Sequence, residues 1–158
     1  MKKLSGLRSI IYDFDGVMTD NRVLVDQDGR EAVFVNRSDG LAVGELKKLG
    51  LAQIIISTER NSVVGARAKK LGLPVLQSVA DKAAAVRQYL AENGFQPAEV
   101  AFVGNDLNDL AAMRTVGWPI APADAQPEVK KIAKVVLKAK GGRGVVRELF
   151  GLLAEGKK

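Results

Sequence analysis

Short apolar runs alternate with longer amphipathic stretches through most of this chain, and that alternation constrains its fold more than any other feature. Residues 7–14, "LRSIIYDF", are apolar, partly β-branched and too few for a stable helix, so they read as a buried strand. The runs "AQIIIS" (52–57), "PVLQ" (74–77) and "EVAFVG" (99–104) read the same way. Between them lie helical stretches over 38–50, 61–72, 81–94 and 108–117, with a last one over 144–156. Ser38, Asp39 and Asp81 are candidate caps, and Gly50, Gly72 and Gly94 are candidate stops. Residues 22–36 hold two alternating runs around Asp28-Gly29, the pattern of a β-hairpin. "WPIAPA" (118–123) and "AKVVLK" (133–138) read as short edge strands. Strands separated by helices of this length imply an α/β fold, a Rossmann-like parallel sheet flanked by helices. A length of 158 residues suits a single domain spanning 1–158.

Ligands of such sheets bind outside the carboxyl ends of the strands. Asp13, Ser57 and the run Gly104-Asn105-Asp106 all fall where a strand runs out, and Lys82 opens the helix after the third strand. Asp13 and Asp15 point the same way while the chain stays extended. Two adjacent carboxylates raise each other's pKa unless a cation intervenes. A hard divalent ion with oxygen ligands resolves the conflict, and Mg²⁺ needs few protein ligands because it keeps waters. "GNDLND" (104–109) supplies further oxygens, Lys82 a positive charge and Ser57 a hydroxyl. Carboxylate, metal, lysine and hydroxyl together suit a phosphoryl group, whose transfer depends mostly on positioning and charge stabilisation. An aspartate can attack phosphorus itself, and a second carboxylate can shuttle the proton.

Composition narrows the chemistry. The chain has no cysteine and no histidine, which excludes disulfides, zinc–thiolate sites and histidine-based triads. No segment approaches the ~18 apolar residues of a membrane span. "MKKLSGLRS" lacks the apolar run of a signal peptide, so the expectation is a cytoplasmic protein. The net charge is +6, with nine Lys/Arg against two acids from Lys130 onward. Nucleic acid is not the expected partner, because no aromatic residues interleave the basic run as a base-stacking surface requires.

"DFDGVMTD" resembles the first motif of the haloacid-dehalogenase-like (HAD-like) phosphatase superfamily. Ser57 after "III", Lys82 in "VADK" and "GNDLND" follow in that superfamily's order. The resemblance implies Asp13 as nucleophile and metal ligand, and Asp15 as general acid/base with its backbone carbonyl on the metal. It implies Ser57, Thr58 and Lys82 on the phosphoryl oxygens, and Asn105, Asp106 and Asp109 at the acidic end of a Mg²⁺ site. Only a hairpin and one helix separate Asp13 from Ser57, and one helix and one strand separate Ser57 from Lys82, which leaves no room for a cap domain. The hairpin, the "TER" after Ser57 and the tail "GGRGVVRELF" resemble the capless branch, which acts on phosphorylated keto-deoxy sugar acids. Octulosonate 8-phosphate and nonulosonate 9-phosphate phosphatases belong to it, as does the phosphatase-like module fused to some acylneuraminate cytidylyltransferases. That branch implies a homotetramer, with the hairpin (22–35) and the C-terminal segment (140–158) at interfaces. Asp39, Glu59, Arg60 and Arg147 are candidate substrate contacts, and a glutamate at 59 looks closer to the nine-carbon class.

Two other classes compete. Many relatives carry Asp where this chain has Asn105, which admits a catalytically weak or non-catalytic assembly module. A phospho-receiver domain would end its second strand-forming run with an acceptor Asp, whereas Ser57 stands there.

Overall fold

The computed structural model describes Leu4 and residues 6–155. Six parallel strands form one sheet: β1 (Ser9–Tyr12), β4 (Ala52–Ile56), β5 (Val75–Leu76), β6 (Val100–Val103), β7 (Trp118–Ala121) and β8 (Val135–Val136). Their order across the sheet is β5-β4-β1-β6-β7-β8, so β1 lies inside, between β4 and β6. The chain moves outward from β1 through β4 to β5, then crosses back to β6 on the other flank. The carboxyl ends of β4, β1 and β6 therefore flank a topological switch point, where such sheets leave a crevice.

Strand periodicity sorts the core into two layers. Ile10 and Tyr12 of β1 face a layer built with Ala42, Val43 and Leu46 of α1 (Arg37–Lys48). Val64 and Ala68 of α2 (Ser62–Leu71) join it, with Val145, Leu149 and Leu153 of α6 (Val145–Glu155). Ile11 faces the other layer, with Val86 and Leu90 of α3 (Lys82–Asn93), Met113 of α4 (Leu110–Met113) and Val129 of α5 (Pro127–Ile132). Asp13 continues the phase of Ile11, towards the layer whose first helix begins with Lys82. Among the described residues no cap domain interrupts this architecture.

The structure corrects several expectations. Strand 118–123 is not an edge, because β7 pairs with both β6 and β8. Pro119 is tolerated there because its carbonyl accepts from Lys134 N–H (2.8 Å) on the flank where β8 only begins, so its missing N–H costs no ladder bond. The helix expected over 108–117 is a 3₁₀ turn, Leu107–Asp109, running into the four-residue α4. Helix α5 was not expected at all; Pro127 at its first turn is the sign that announced it.

Helix α1 starts at Arg37 and is capped by Asn36, whose Oδ1 accepts from Ser38 N–H at 2.8 Å, so neither Ser38 nor Asp39 is the cap. Asp39, expected as a substrate contact, is buried away from the cleft. Its Oδ1 accepts from the backbone N–H of Arg147 at 2.9 Å, with the N–H groups of Val146 and Gly144 close by. It thus caps α6 from a neighbouring helix and ties the C-terminal helix to α1. Burial raises its pKa, and those backbone donors pull it back down.

The hairpin forms as β2 (Leu24–Val25) and β3 (Glu31–Ala32), a two-stranded sheet apart from the main one. Its loop is organised by Asp26, whose Oδ1 accepts from the N–H groups of Asp28 and Arg30, both at 2.9 Å. Val23, Leu24, Val25 and Phe34 remain exposed, Phe34 by 73%.

Candidate active site

A cleft of about 350 Å³ opens at the carboxyl ends of β4, β1 and β6, lined by Asp13, Asp15, Ser57, Thr58, Asn105 and Asp106, with Asn21, Leu107 and Asn108 at its rim. Asp13 follows β1 directly, and its N–H still donates to Val103 O (2.9 Å), so the β-ladder fixes its backbone. Ser57 follows β4 and is held likewise by donating to Leu76 O (2.9 Å). Its hydroxyl accepts from Glu59 N–H at 3.1 Å, which leaves its proton free to donate into the cleft. Lys82 reaches in from the start of α3, which Asp81 caps by accepting from Ala84 N–H (2.9 Å).

Lys82 Nζ lies 2.7 Å from both Asp13 Oδ1 and Asp109 Oδ1, and all three side chains are buried. Burial and the Asp109 carboxylate push the Asp13 pKa up to about 7, while Lys82 pulls it down. Burial pulls the Lys82 pKa down, and the two carboxylates outweigh it, holding the ammonium above its ordinary value. Asp109 was expected among the metal ligands, but both its oxygens are already engaged. Oδ1 meets Lys82, and Oδ2 accepts from the N–H groups of Asn105 (2.9 Å) and Asp106 (3.3 Å). It positions the lysine and the loop after β6 and does not line the cleft.

Asp15 sits one turn beyond the strand. Thr19 Oγ1 donates to its Oδ1 (3.1 Å) and accepts from Gly16 and Asn21 N–H, both at 3.2 Å. Burial raises the Asp15 pKa; the Thr19 hydrogen bond lowers it, and Glu59 and Glu31 raise it again. Thr19 is a functional residue that sequence reasoning missed, although it stands in the quoted motif. Its side chain is fully buried, and its one hydroxyl joins the turn to the carboxylate. Gly16 has φ +77°, and a Cβ there would collide with the Asn105 amide, so the turn can be tight only with glycine. Gly141 supports the turn from outside, for a Cβ on it would strike the Gly16 carbonyl.

Among the described residues, no three Asp, Glu, His or Cys side chains converge on one point. A carboxylate oxygen, a backbone carbonyl and the Asn105 amide converge there. One end of that amide lies 3.3 Å from Asp13 Oδ2 and 2.9 Å from Asp15 O, both acceptors, and its nitrogen, turned that way, donates to both. Octahedral Mg²⁺ with bonds of 2.0–2.1 Å separates adjacent ligand oxygens by about 2.9 Å. With the amide oxygen turned inward, the set would fit a small hard cation. Asp106 lines the cleft beside it, with Oδ1 capping the next turn through Leu107 N–H at 2.7 Å. Glu59 and Arg60 are exposed just after Thr58. Arg147 is exposed on α6, stacked over Phe150 at 5.4 Å, and does not line its own chain's cleft.

The model of the haloacid dehalogenase-like hydrolase family matches residues 41–149. The chain belongs to that family. Within the haloacid dehalogenase-like hydrolases it falls among phosphatases. It is 36% identical over 154 residues to 3-deoxy-D-manno-octulosonate 8-phosphate phosphatase from Yersinia pestis, covering 97% of this chain and 82% of that one. A crystal structure of a haloacid dehalogenase-like hydrolase from Streptomyces avermitilis matches with a TM-score of 0.94 at 44% identity, covering 97% of this chain and 88% of that one. The octulosonate 8-phosphate phosphatase of Moraxella catarrhalis, solved with magnesium, phosphate and KDO, matches with a TM-score of 0.93 at 28% identity. That match covers 98% of this chain and 90% of the other.

Proposed function

We propose that this chain is a Mg²⁺-dependent phosphomonoesterase that works through an aspartyl-phosphate at Asp13 on a phosphorylated keto-deoxy sugar acid. The observation that carries this is Asp13, paired with the buried Lys82 and meeting the Asp15 carbonyl and the Asn105 amide in one cleft. Asp13 Oδ2, Asp15 O and the Asn105 amide oxygen would hold the cation, with Asp106 next to it. When bound, the cation draws charge from the phosphoryl oxygens and keeps Asp13 ionised.

Asp13 attacks phosphorus and the ester oxygen leaves with the sugar. Asp15, protonated in the first step, donates to that leaving oxygen; ionised in the second, it takes a proton from the attacking water. The pKa-raising burial of Asp15 suits the first role, and the Thr19 hydroxyl keeps its carboxyl aimed. Ser57 and Lys82 orient the phosphoryl oxygens, with Thr58 beside them.

The octulosonate 8-phosphate ester is the substrate that the relatives favour. A nine-carbon nonulosonate 9-phosphate is the second reading, and Glu59 beside Asp15 is the observation for it. The exposed apolar hairpin supports a homotetramer in which a neighbour covers Leu24 and Phe34. In that assembly the hairpin (22–35) and the segment from 140 onward, of which 156–158 lie outside the described residues, would meet neighbouring copies, and Arg60 and Arg147 would complete a site across the interface. The chain reads as one catalytic domain over 1–158, acting in the cytoplasm; among the described residues no helix is long and apolar enough to cross a membrane.

Phosphate release from both sugar acid phosphates, with Mg²⁺ and with chelator, tests this reading. The expected result is turnover that needs the cation, with the larger kcat/KM on the eight-carbon ester. Full turnover in chelator, or none on either ester with Mg²⁺ bound, overturns it.

A further inference from the structure

The Asn105 amide can satisfy its surroundings in two ways. With the oxygen inward, three oxygens would meet, across 3.3 Å to Asp13 Oδ2 and 2.9 Å to Asp15 O, and a bound cation would relieve them. With the nitrogen inward, the amide donates to both acceptors across the same distances and no cation is needed. A half-turn of the amide separates the two states, and the two ends are nearly the same size. The residue is 7% exposed, and these two acceptors are the close partners of its inward end. Gly16 packs against the amide and holds it at this point.

We propose that Asn105 is a two-position ligand: nitrogen inward, it closes and stabilises the cation-free cleft; oxygen inward, it completes the cation's ligand set. This rests on the reading that a divalent cation binds here. A carboxylate at 105 has no such choice, because in the cation-free protein it adds a third acceptor beside Asp13 and the Asp15 carbonyl. Asn105 thus gives up cation affinity and gains a stable empty site.

The test uses chelated wild type, Asn105→Asp and Asn105→Ala, with no substrate. Melting temperature is read without cation, and Mg²⁺ affinity by calorimetry. Asn105→Asp should melt below wild type without Mg²⁺ and bind it at least about tenfold tighter, since added ligand charge raises affinity. Asn105→Ala should also melt lower but bind more weakly. A residue that only fills space would not move affinity in opposite directions in the two variants. A further readout needs no variant: in chelated wild type the Asn105 side-chain amide protons should be protected from exchange, and Mg²⁺ should remove that protection. Unprotected protons without Mg²⁺, or an Asn105→Asp affinity equal to wild type, overturns the proposal while leaving the proposed function standing. No Mg²⁺ binding by any form overturns both.

Discussion

Asp13→Asn should lower kcat by roughly 10⁵- to 10⁶-fold, the scale on which loss of a covalent nucleophile acts in another hydrolase. The variant should nonetheless fold. Asn keeps the shape of the side chain, and Lys82 retains Asp109 at 2.7 Å as a buried counter-charge. Its stability should differ from wild type in a pH-dependent way. The folded pKa of Asp13 is raised to about 7 from an ordinary 3.8, with burial as the main cause and Asp109 adding to it. A raised carboxyl pKa means the folded protein holds that proton more tightly than the unfolded chain. The stabilisation is full below about pH 4 and is lost as pH rises through about 7. Without Mg²⁺, then, wild type should lose melting temperature relative to Asp13→Asn over that window. Thermal melts of both forms in chelator measure it, and parallel curves would refute this electrostatic account of Asp13.

Lys82→Ala should be the most destabilising single change at the site. It leaves two buried carboxylates, Asp13 and Asp109, facing the space where their shared partner stood. Removing one member of a buried ion pair costs about 3–5 kcal/mol, which for a domain of this size lowers the melting temperature by about 10 °C or more. The cause predicts a remedy. Lys82 is the group that pulls the Asp13 pKa down, so without it the Asp13 carboxyl is pushed up further and its protonation relieves the repulsion. The deficit should be larger at pH 8 than at pH 5. A deficit independent of pH would mean that lost packing, not lost charge, dominates. Activity should fall with stability, because in the proposed mechanism the same ammonium orients the phosphoryl oxygens.

Much of this was legible in the sequence because local pattern and chemistry agree there. Short apolar runs made β1, β4 and β6 readable as strands, and their polar ends marked the cleft. Where tertiary contacts compete with local signals, the sequence alone says less. Asp39 looks like a helix cap near a site, yet it caps α6, more than a hundred positions away in the chain. Asp109 looks like a ligand by its place in "GNDLND", but Lys82 and two backbone amides use both its oxygens. Strand 118–123 reads as an edge, yet β7 pairs on both sides, and the late start of β8 explains why Pro119 is harmless there. Thr19 was overlooked because a threonine in a turn has many uses, and only the fold brings its hydroxyl to Asp15.

The most direct test of the central claim is to look for the phosphoryl group on Asp13 itself. Wild type turning over octulosonate 8-phosphate with Mg²⁺ is quenched, reduced with borohydride and digested, and the peptides are read by mass spectrometry. An aspartyl-phosphate reduces to homoserine, whereas a free carboxylate does not. The predicted result is homoserine at position 13, present only with substrate and Mg²⁺. Steady turnover with Asp13 unmodified, or with the modification at Asp15, would contradict the assignment of Asp13 as nucleophile.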